Sequence, residues 1–262
     1  SYQLESVAKM RCAAATVLNV TPDHLDRYPS LDEYARAKER IFENQRPGDL
    51  AALNGADARV AAMKTGQGVR RALFDPRKDT LALRAKTLRG THNLENALAA
   101  SLLAKHFGVN ATQLQQGLDT YPGLPHRLEP VRTLEGVEWI NDSKATNVDS
   151  VEKSLSAFEG GVHIIMGGRG KGAPYAPLLP LVRAKVKTIL GIGEDSAKVR
   201  DELGAAAEFH DCGILSAAIA KARELAKPGD TVLLSPACAS YDQFRNFEDR
   251  GEQYKQMVRG LR

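Results

Sequence analysis

Four short apolar runs, at 136–141, 162–166, 186–191 and 230–235, recur through the second half of the sequence with helical stretches between them. Runs of this length that are apolar on consecutive residues suit strands buried on both faces, and an intervening helix is the crossover that parallel pairing requires. The predicted helices lie near 147–157, 176–183, 195–203, 213–226 and 241–259. The expectation is an α/β chain ending in a Rossmann-like, doubly wound domain, with ligands at the carboxyl ends of its strands.

The first half carries the same alternation less regularly. A strand is predicted at Thr16–Val20, then a helix over 31–45 opened by the capping box Ser30-x-x-Glu33. A short strand at 50–53 and a mixed segment at 64–90 follow. A long helix is expected from His92 to Phe107, with Leu94, Leu98, Leu102 and Leu103 on one side, and another near 111–119. The cluster Tyr121-Pro122-Gly123-Leu124-Pro125 then marks a domain boundary, giving predicted domains 1–124 and 125–262.

Composition narrows the function. With 36 Lys+Arg against 32 Asp+Glu the net charge is +4, which suits an anionic ligand but forms no basic stripe, so nucleic acid is not expected as a partner. No apolar run approaches the ~18 residues of a membrane span, so neither is a membrane. Cys12, Cys212 and Cys238 are odd in number and far apart. They predict no disulfide framework and fit a reducing cytoplasm. The chain opens Ser1-Tyr2-Gln3-Leu4-Glu5 without an initiator Met, which reads as the middle of something longer.

The polar segments that follow predicted strands carry the chemistry. In Asn19-Val20-Thr21-Pro22-Asp23-His24-Leu25-Asp26, a histidine among carboxylates reads either as a metal ligand or proton shuttle, or as a solvated turn. Lys38 shares a helix face with Tyr34 and Ile41, so it either snorkels or is buried, and burial favours the neutral, reactive amine. Asn141-Asp142-Ser143-Lys144-Ala145-Thr146-Asn147 has one apolar member in seven, which suits a site or a wet loop. The glycine loop at 167–172, with Lys171, is either an anion cradle or a mobile surface loop. It is not a P-loop, because Ile165 stands where the first glycine belongs and Gly172 follows the lysine. Ser240-x-x-Gln243 predicts a capping box opening the last helix, whose first amides would bind a carboxylate or phosphate. Gly191-Ile192-Gly193 begins a dinucleotide fingerprint, with Asp211 near the ribose distance, but Ser196 replaces its third glycine.

Taken together, these segments resemble the Mur ligases of peptidoglycan synthesis, a process tied to cell shape and division. The branch they resemble is the one that adds D-glutamate to UDP-N-acetylmuramoyl-L-alanine. The matching stretches include Ser1–Glu5, Asn19–Pro29, Tyr34–Lys38, Gly90–Ala97, Gly123–Arg127 and the 141–147, 167–172 and 235–247 segments. The resemblance implies ATP-dependent amide formation through an acyl phosphate, with Mg2+, small-molecule substrates and a monomeric enzyme. It implies His24 as a magnesium ligand and Lys38 as a carbamylated lysine beside a second magnesium. Asn93 and Asn96 would lie near the adenine, Arg127 at a phosphate and Asp142 at the ribose. Thr146, Lys171, Ser240 and Phe247 would form the D-glutamate pocket. The chain departs from the family pattern at Arg169, where an acidic residue is common, and at Pro174.

The family's UDP-sugar domain and its Gly-Lys-Ser/Thr P-loop have no counterpart in these 262 residues. The chain alone is therefore expected to show no ligase activity. Two alternatives stand beside this one: a non-catalytic fragment that binds D-glutamate or an adenine nucleotide, and an NAD-dependent oxidoreductase built on Gly191-x-Gly193.

Overall fold

The computed structural model describes residues 1–21 and 27–262. Two units divide the chain, one of residues 1–85 with 91–121 and the other of residues 86–90 with 122–262. The expected histidine ligand, His24, lies outside the described residues.

The first unit contains α1 (Tyr2–Glu5), β1 (Ala14–Val17), α2 (Leu31–Glu39), β2 (Leu50–Asn54), α3 (Ala58–Ala61), β3 (Arg70–Phe74), α4 (Thr91–His106) and α5 (Ala111–Asp119). Its sheet runs β1-β2-β3, parallel throughout. The middle strand, β2, is covered on both faces: Leu50, Ala51, Ala52 and Leu53 are all fully buried. Tyr34, Ala37, Phe42 and Val60 fill one face, while Leu98 and Ala99 of α4 pack with Phe74 elsewhere in the unit.

Two local expectations shift. β1 lies two residues before the predicted strand, because the following backbone bonds to side chains instead of a ladder. Leu18 O accepts from Asn54 Nδ2 at 2.9 Å, and Val20 N–H donates to Asp57 Oδ2 at 2.8 Å. Ser30 does cap α2, accepting Glu33 N–H at 3.2 Å. The helix stops at Glu39 and tightens into a 3-10 turn over Arg40–Phe42 instead of running to 45.

The second unit contains β4 (Glu129–Leu134), β5 (Val137–Asn141), α6 (Val148–Ser156), β6 (Val162–Gly167), α7 (Leu179–Lys185), β7 (Val186–Ile192), α8 (Ser196–Leu203), β8 (Glu208–Gly213), α9 (Leu215–Leu225), β9 (Thr231–Leu234) and α10 (Phe247–Gly260). The sheet order is β4-β5-β9-β6-β7-β8, parallel except for β4. Successive strand residues face opposite sides, so each strand feeds two cores. Ile164, Ile189 and Leu233 pack with Val151, Leu155, Val182, Val199 and Leu203 from α6, α7 and α8. Ile165, Leu190, Val232 and Leu234 pack with Leu215, Ile219, Tyr254 and Val258 from α9 and α10. This is the doubly wound arrangement that the apolar runs predict. Among the described residues, no helix is long and apolar enough to cross a membrane.

The start of the last helix is corrected. Residues 241–246 form turns, and α10 begins at Phe247 under the cap of Asn246, whose Oδ1 accepts Asp249 N–H at 2.7 Å. Ser240 closes only a turn, its carbonyl accepting from Gln243 and Phe244 N–H. Glu248 and Asp249 already place negative charge on the first turn of α10. The helical first turn expected directly behind Ser240 is thus displaced to Phe247 and carries its own acidic side chains. At the other end of α10, Arg132 Nη1 donates to Leu261 O at 2.8 Å and Arg259 O at 3.1 Å, satisfying carbonyls that the helix leaves open.

Candidate functional site

Three polar segments leave the carboxyl ends of β5, β6 and β9, adjacent strands of one sheet, and backbone bonds join them. Gly167 N–H donates to Pro236 O at 2.9 Å, and Ala237 N–H to Ala145 O at 2.9 Å. Arg169 and Ala239 exchange N–H···O bonds of 2.9 and 3.1 Å. The loops holding Asp142 and Thr146, Lys171, and Ser240 are thus one bonded cluster. Its members were separated in sequence by as much as a hundred residues.

Arg250 of α10 knits the cluster from below. Its side chain is fully buried. Nε donates to Ser143 Oγ at 2.9 Å, and Nη2 donates to Ser143 O at 2.9 Å and Cys238 O at 3.1 Å. Ser143 Oγ in turn donates to Phe247 O at 2.8 Å, fixing the first turn of α10. Burial lowers the guanidinium pKa to about 10, so it remains charged at neutral pH.

Asp142 is 5% exposed. Its Oδ1 accepts Leu128 N–H at 3.2 Å, and Oδ2 accepts the hydroxyls of Ser154 at 2.5 Å and Ser235 at 2.9 Å. Desolvation outweighs these three donors and the nearby charge of Arg127, and raises the carboxyl pKa to about 6. A folded pKa of about 6 above the reference 3.8 favours the native state below pH ~4, and that advantage is lost as pH rises through about 6. The gap is worth about 3 kcal/mol. Urea unfolding of wild type and Asp142→Asn between pH 4 and 7.5 should show the wild type losing that amount relative to the variant. A difference that stays constant across the range would refute the assignment.

Arg127 is exposed, and it sits between two residues held in left-handed backbone, His126 at φ 63° and Leu128 at φ 42°. Ala237, in the β9 exit, is at φ 61°. Such conformations cost of order 1 kcal/mol or more each and cluster where function fixes the backbone. His126 is buried, with its ring edge-on to Phe247 at 5.9 Å between centroids. Lys144 Nζ lies 5.0 Å from the centre of the Phe247 ring. This lysine belongs to the polar 141–147 segment but received no role from sequence.

Thr146 is half-buried, and Lys171 is exposed without an ion-pair partner among the described residues. Ser240 is 2% exposed. The departure at Arg169 has a local explanation: its guanidinium makes a two-pronged pair with Glu194, at 3.0 and 2.8 Å. The added positive charge beside Lys171 is thereby matched. The dinucleotide reading fares worse, because Asp211 accepts the hydroxyl of Ser196, the residue in the third-glycine position, at 2.8 Å.

In the first unit, Lys38 is half-buried, with Nζ 4.7 Å from the Tyr34 ring centre. It lines an open pocket of about 340 Å³ with Ser1, Thr16, Asn19 and Ile41. Thr16 Oγ1 is buried and has no hydrogen-bond partner among the described residues. Asn93 and Asn96 stand one turn apart on α4, and Asn96 Nδ2 reaches Asn93 Oδ1 at 3.4 Å.

The Mur ligase middle-domain family model matches residues 1–91, and the Mur ligase glutamate ligase domain model matches residues 126–238. A UDP-N-acetylmuramoylalanine--D-glutamate ligase from Myxococcus xanthus (strain DK1622) is 50% identical over 287 residues, covering 100% of this chain and 63% of the relative. One from Anaeromyxobacter dehalogenans (strain 2CP-C) is 47% identical over 290 residues, with coverage of 98% and 63%. The chain thus spans somewhat less than two thirds of the length of these curated relatives. Among solved structures, a pseudomurein peptide ligase type C from Methanothermus fervidus superposes with a TM-score of 0.67 at 16% identity, covering 95% of this chain and 64% of that one. E. coli FolC in complex with DHPP and ADP gives a TM-score of 0.66 at 17% identity, covering 95% and 62%. At such identities these two likenesses concern the fold alone.

Proposed function

Because this chain belongs to the Mur ligase family, we propose that it provides the later part of the ATP-binding domain and the amino-acid-binding domain of a ligase that joins D-glutamate to UDP-N-acetylmuramoyl-L-alanine. The observation that carries the reading is the bonded cluster at the ends of β5, β6 and β9, which gathers the loops of Thr146, Lys171 and Ser240 beside Phe247. Lys171 gives a carboxylate a charged donor, while Thr146 and Ser240 offer hydroxyls. Phe247 and Lys144 form one wall, and Arg127 presents positive charge to a phosphate.

The pocket of Lys38 fits a magnesium site in its donor chemistry. It holds an unsatisfied Thr16 hydroxyl, the Asn19 amide and a lysine whose carbamate would add oxygens, and oxygen ligands are what this cation takes. With ATP and magnesium bound, the chemistry supplied would be phosphoryl activation of the acceptor carboxylate with its negative charge neutralised. The residues of this chain would orient the amine of D-glutamate toward that carboxylate and hold its own carboxylates still. The reading includes a monomeric, cytoplasmic enzyme.

The same reading has the 262 residues bind without turning over, since the sequence contains no P-loop. Calorimetry should detect D-glutamate binding to the chain, weakened roughly tenfold or more in Lys171→Ala, the scale of one charge-assisted hydrogen bond. Phosphate release that depends on both UDP-N-acetylmuramoyl-L-alanine and D-glutamate should be absent. Such release from the purified chain would overturn the expected inactivity, and a Lys171→Ala titration identical to wild type would remove the assigned pocket.

A further inference from the structure

The loop that carries Lys171 is closed on itself by backbone bonds and by side chains that the assigned pocket does not include. On its entering side, Gly168 O accepts Asp195 N–H at 2.9 Å, and Arg169 is paired with both Ala239 and Glu194. On its leaving side, Lys198 Nζ donates to Ala173 O at 2.7 Å. The N–H groups of Tyr175 and Ala176 donate to Glu202 Oε2 at 2.6 and 3.1 Å. Only Gly170, Lys171 and Gly172 lie between the two anchors.

One carboxylate touches both sides. An added Cβ at Gly170 would stand 2.1 Å from Asp195 Oδ2, so the backbone there runs directly against Asp195. The same Oδ2 accepts the Tyr175 hydroxyl at 2.6 Å. Tyr175 Oη also lies 2.9 Å from Cys238 Sγ. The single Tyr175 hydroxyl proton is spent on Asp195 Oδ2, so in the second contact the Cys238 thiol donates to Tyr175 Oη. The tyrosine hydroxyl therefore bridges the Lys171 loop, the start of α8 and the β9 exit two residues before Ser240. Its ring is 2% exposed and is packed in the core beneath.

We propose that Tyr175 is a positioning residue: its hydroxyl, held between Asp195 and Cys238, sets where Lys171 stands relative to Ser240. The proposal deepens the pocket assigned above and rests on it for what Lys171 holds. A short loop anchored at its two ends alone still samples several lysine positions. A part-buried bond from one end of the loop to the carboxylate that lines its other end removes that freedom, so less ordering is left for the ligand to impose.

The test uses the full 262-residue chain. In Tyr175→Phe, hydrogen exchange at the bonded amides that anchor the loop, those of Arg169, Tyr175 and Ala176, should quicken by about tenfold, while exchange in β6 and α8 stays at the wild-type rate. D-glutamate should bind more weakly by a similar factor. Asp195→Ala, a half-exposed position that spares the core, should reproduce both effects. Asp195→Asn, which keeps an acceptor for the hydroxyl, should restore both. Unchanged exchange at Arg169, Tyr175 and Ala176 in both Tyr175→Phe and Asp195→Ala would overturn the proposal, as would loss of exchange protection spread evenly over the whole unit. A wild-type chain that binds no D-glutamate would overturn the pocket assignment instead, and the exchange pattern would still decide the role of Tyr175.

Discussion

Gly167→Ala should destabilise the second unit by about 4 kcal/mol, the sum of a backbone conformation foreign to L-residues and an overpacked contact. Gly167 ends β6 at φ 116°, and an added Cβ would lie 2.0 Å from the carbonyl oxygen of Ile192. Neither partner can retreat. Gly167 is in register with Ile192 on β7, and its N–H is bonded to Pro236 O. At roughly 2–4 °C per kcal/mol for a unit of this size, the melting midpoint should fall by about 10 °C. Gly160→Ala, where the new methyl meets nothing within 4 Å, is the control and should leave the midpoint almost unmoved. The proposed D-glutamate site should fail with the fold, because Gly167 is the point from which the Lys171 loop departs. A Gly167→Ala protein that melts with wild type would mean that β6 and β7 part easily at this end, against the close approach described.

Arg250→Met is the second large effect, with a net loss of about 3 kcal/mol expected in urea unfolding. Methionine retains the apolar stem and much of the volume, so packing changes little. What goes is the donor set: Ser143 O and Cys238 O lose a charged partner inside the protein. Each stranded acceptor costs about 1–3 kcal/mol. Relief of the guanidinium's own desolvation offsets part of that, which is why the net is smaller than the sum. A raised midpoint would show that desolvation dominates and that Arg250 is kept at the expense of stability. The variant should also slacken the joint between the first turn of α10 and the Cys238–Ala239 stretch, weakening D-glutamate binding beyond what the stability loss explains.

The sequence discloses these two residues very unequally. Gly167 lies in a glycine loop after an apolar run, and such a loop announces a special backbone. Arg250 sits among Asp249, Glu252 and Lys255, a composition that reads as a wet helix face, and only the tertiary fold turns it inward. Tyr175 was equally silent, since an aromatic residue flanked by prolines signals burial but not a hydroxyl bond to a residue twenty positions away. The buried strands β5, β6, β7 and β9 were legible because both faces are covered and their residues are apolar in succession. β4 and β8 were missed for the complementary reason. They are the two edge strands, and sequences such as Glu-Pro-Val-Arg-Thr-Leu and Glu-Phe-His-Asp-Cys-Gly are partly wet, so no apolar run appears. The helix predicted from 241 failed because a serine followed by glutamine three residues later caps a helix only if the backbone continues as one. Here the chain turns first, and Asn246 does the capping. Lys38 was singled out by its place on an apolar helix face, and the structure gives that face a pocket.

The position of β9 has a consequence for how the chain must be made. This strand comes last in sequence but lies inside the sheet, flanked by β5 and β6. Until residues 231–234 arrive, those two strands have no neighbour to bridge them, and each presents an unpaired apolar edge. A ribosome must therefore deliver nearly the whole C-terminal unit before its sheet can close, and the contacts that close it span some ninety residues between β5 and β9. Assembly of this kind is slow, because the ordering of a long loop precedes the pairing that rewards it. Nascent or prematurely terminated chains lacking β9 would display sticky edges during that interval, making them clients for chaperones or seeds for aggregation.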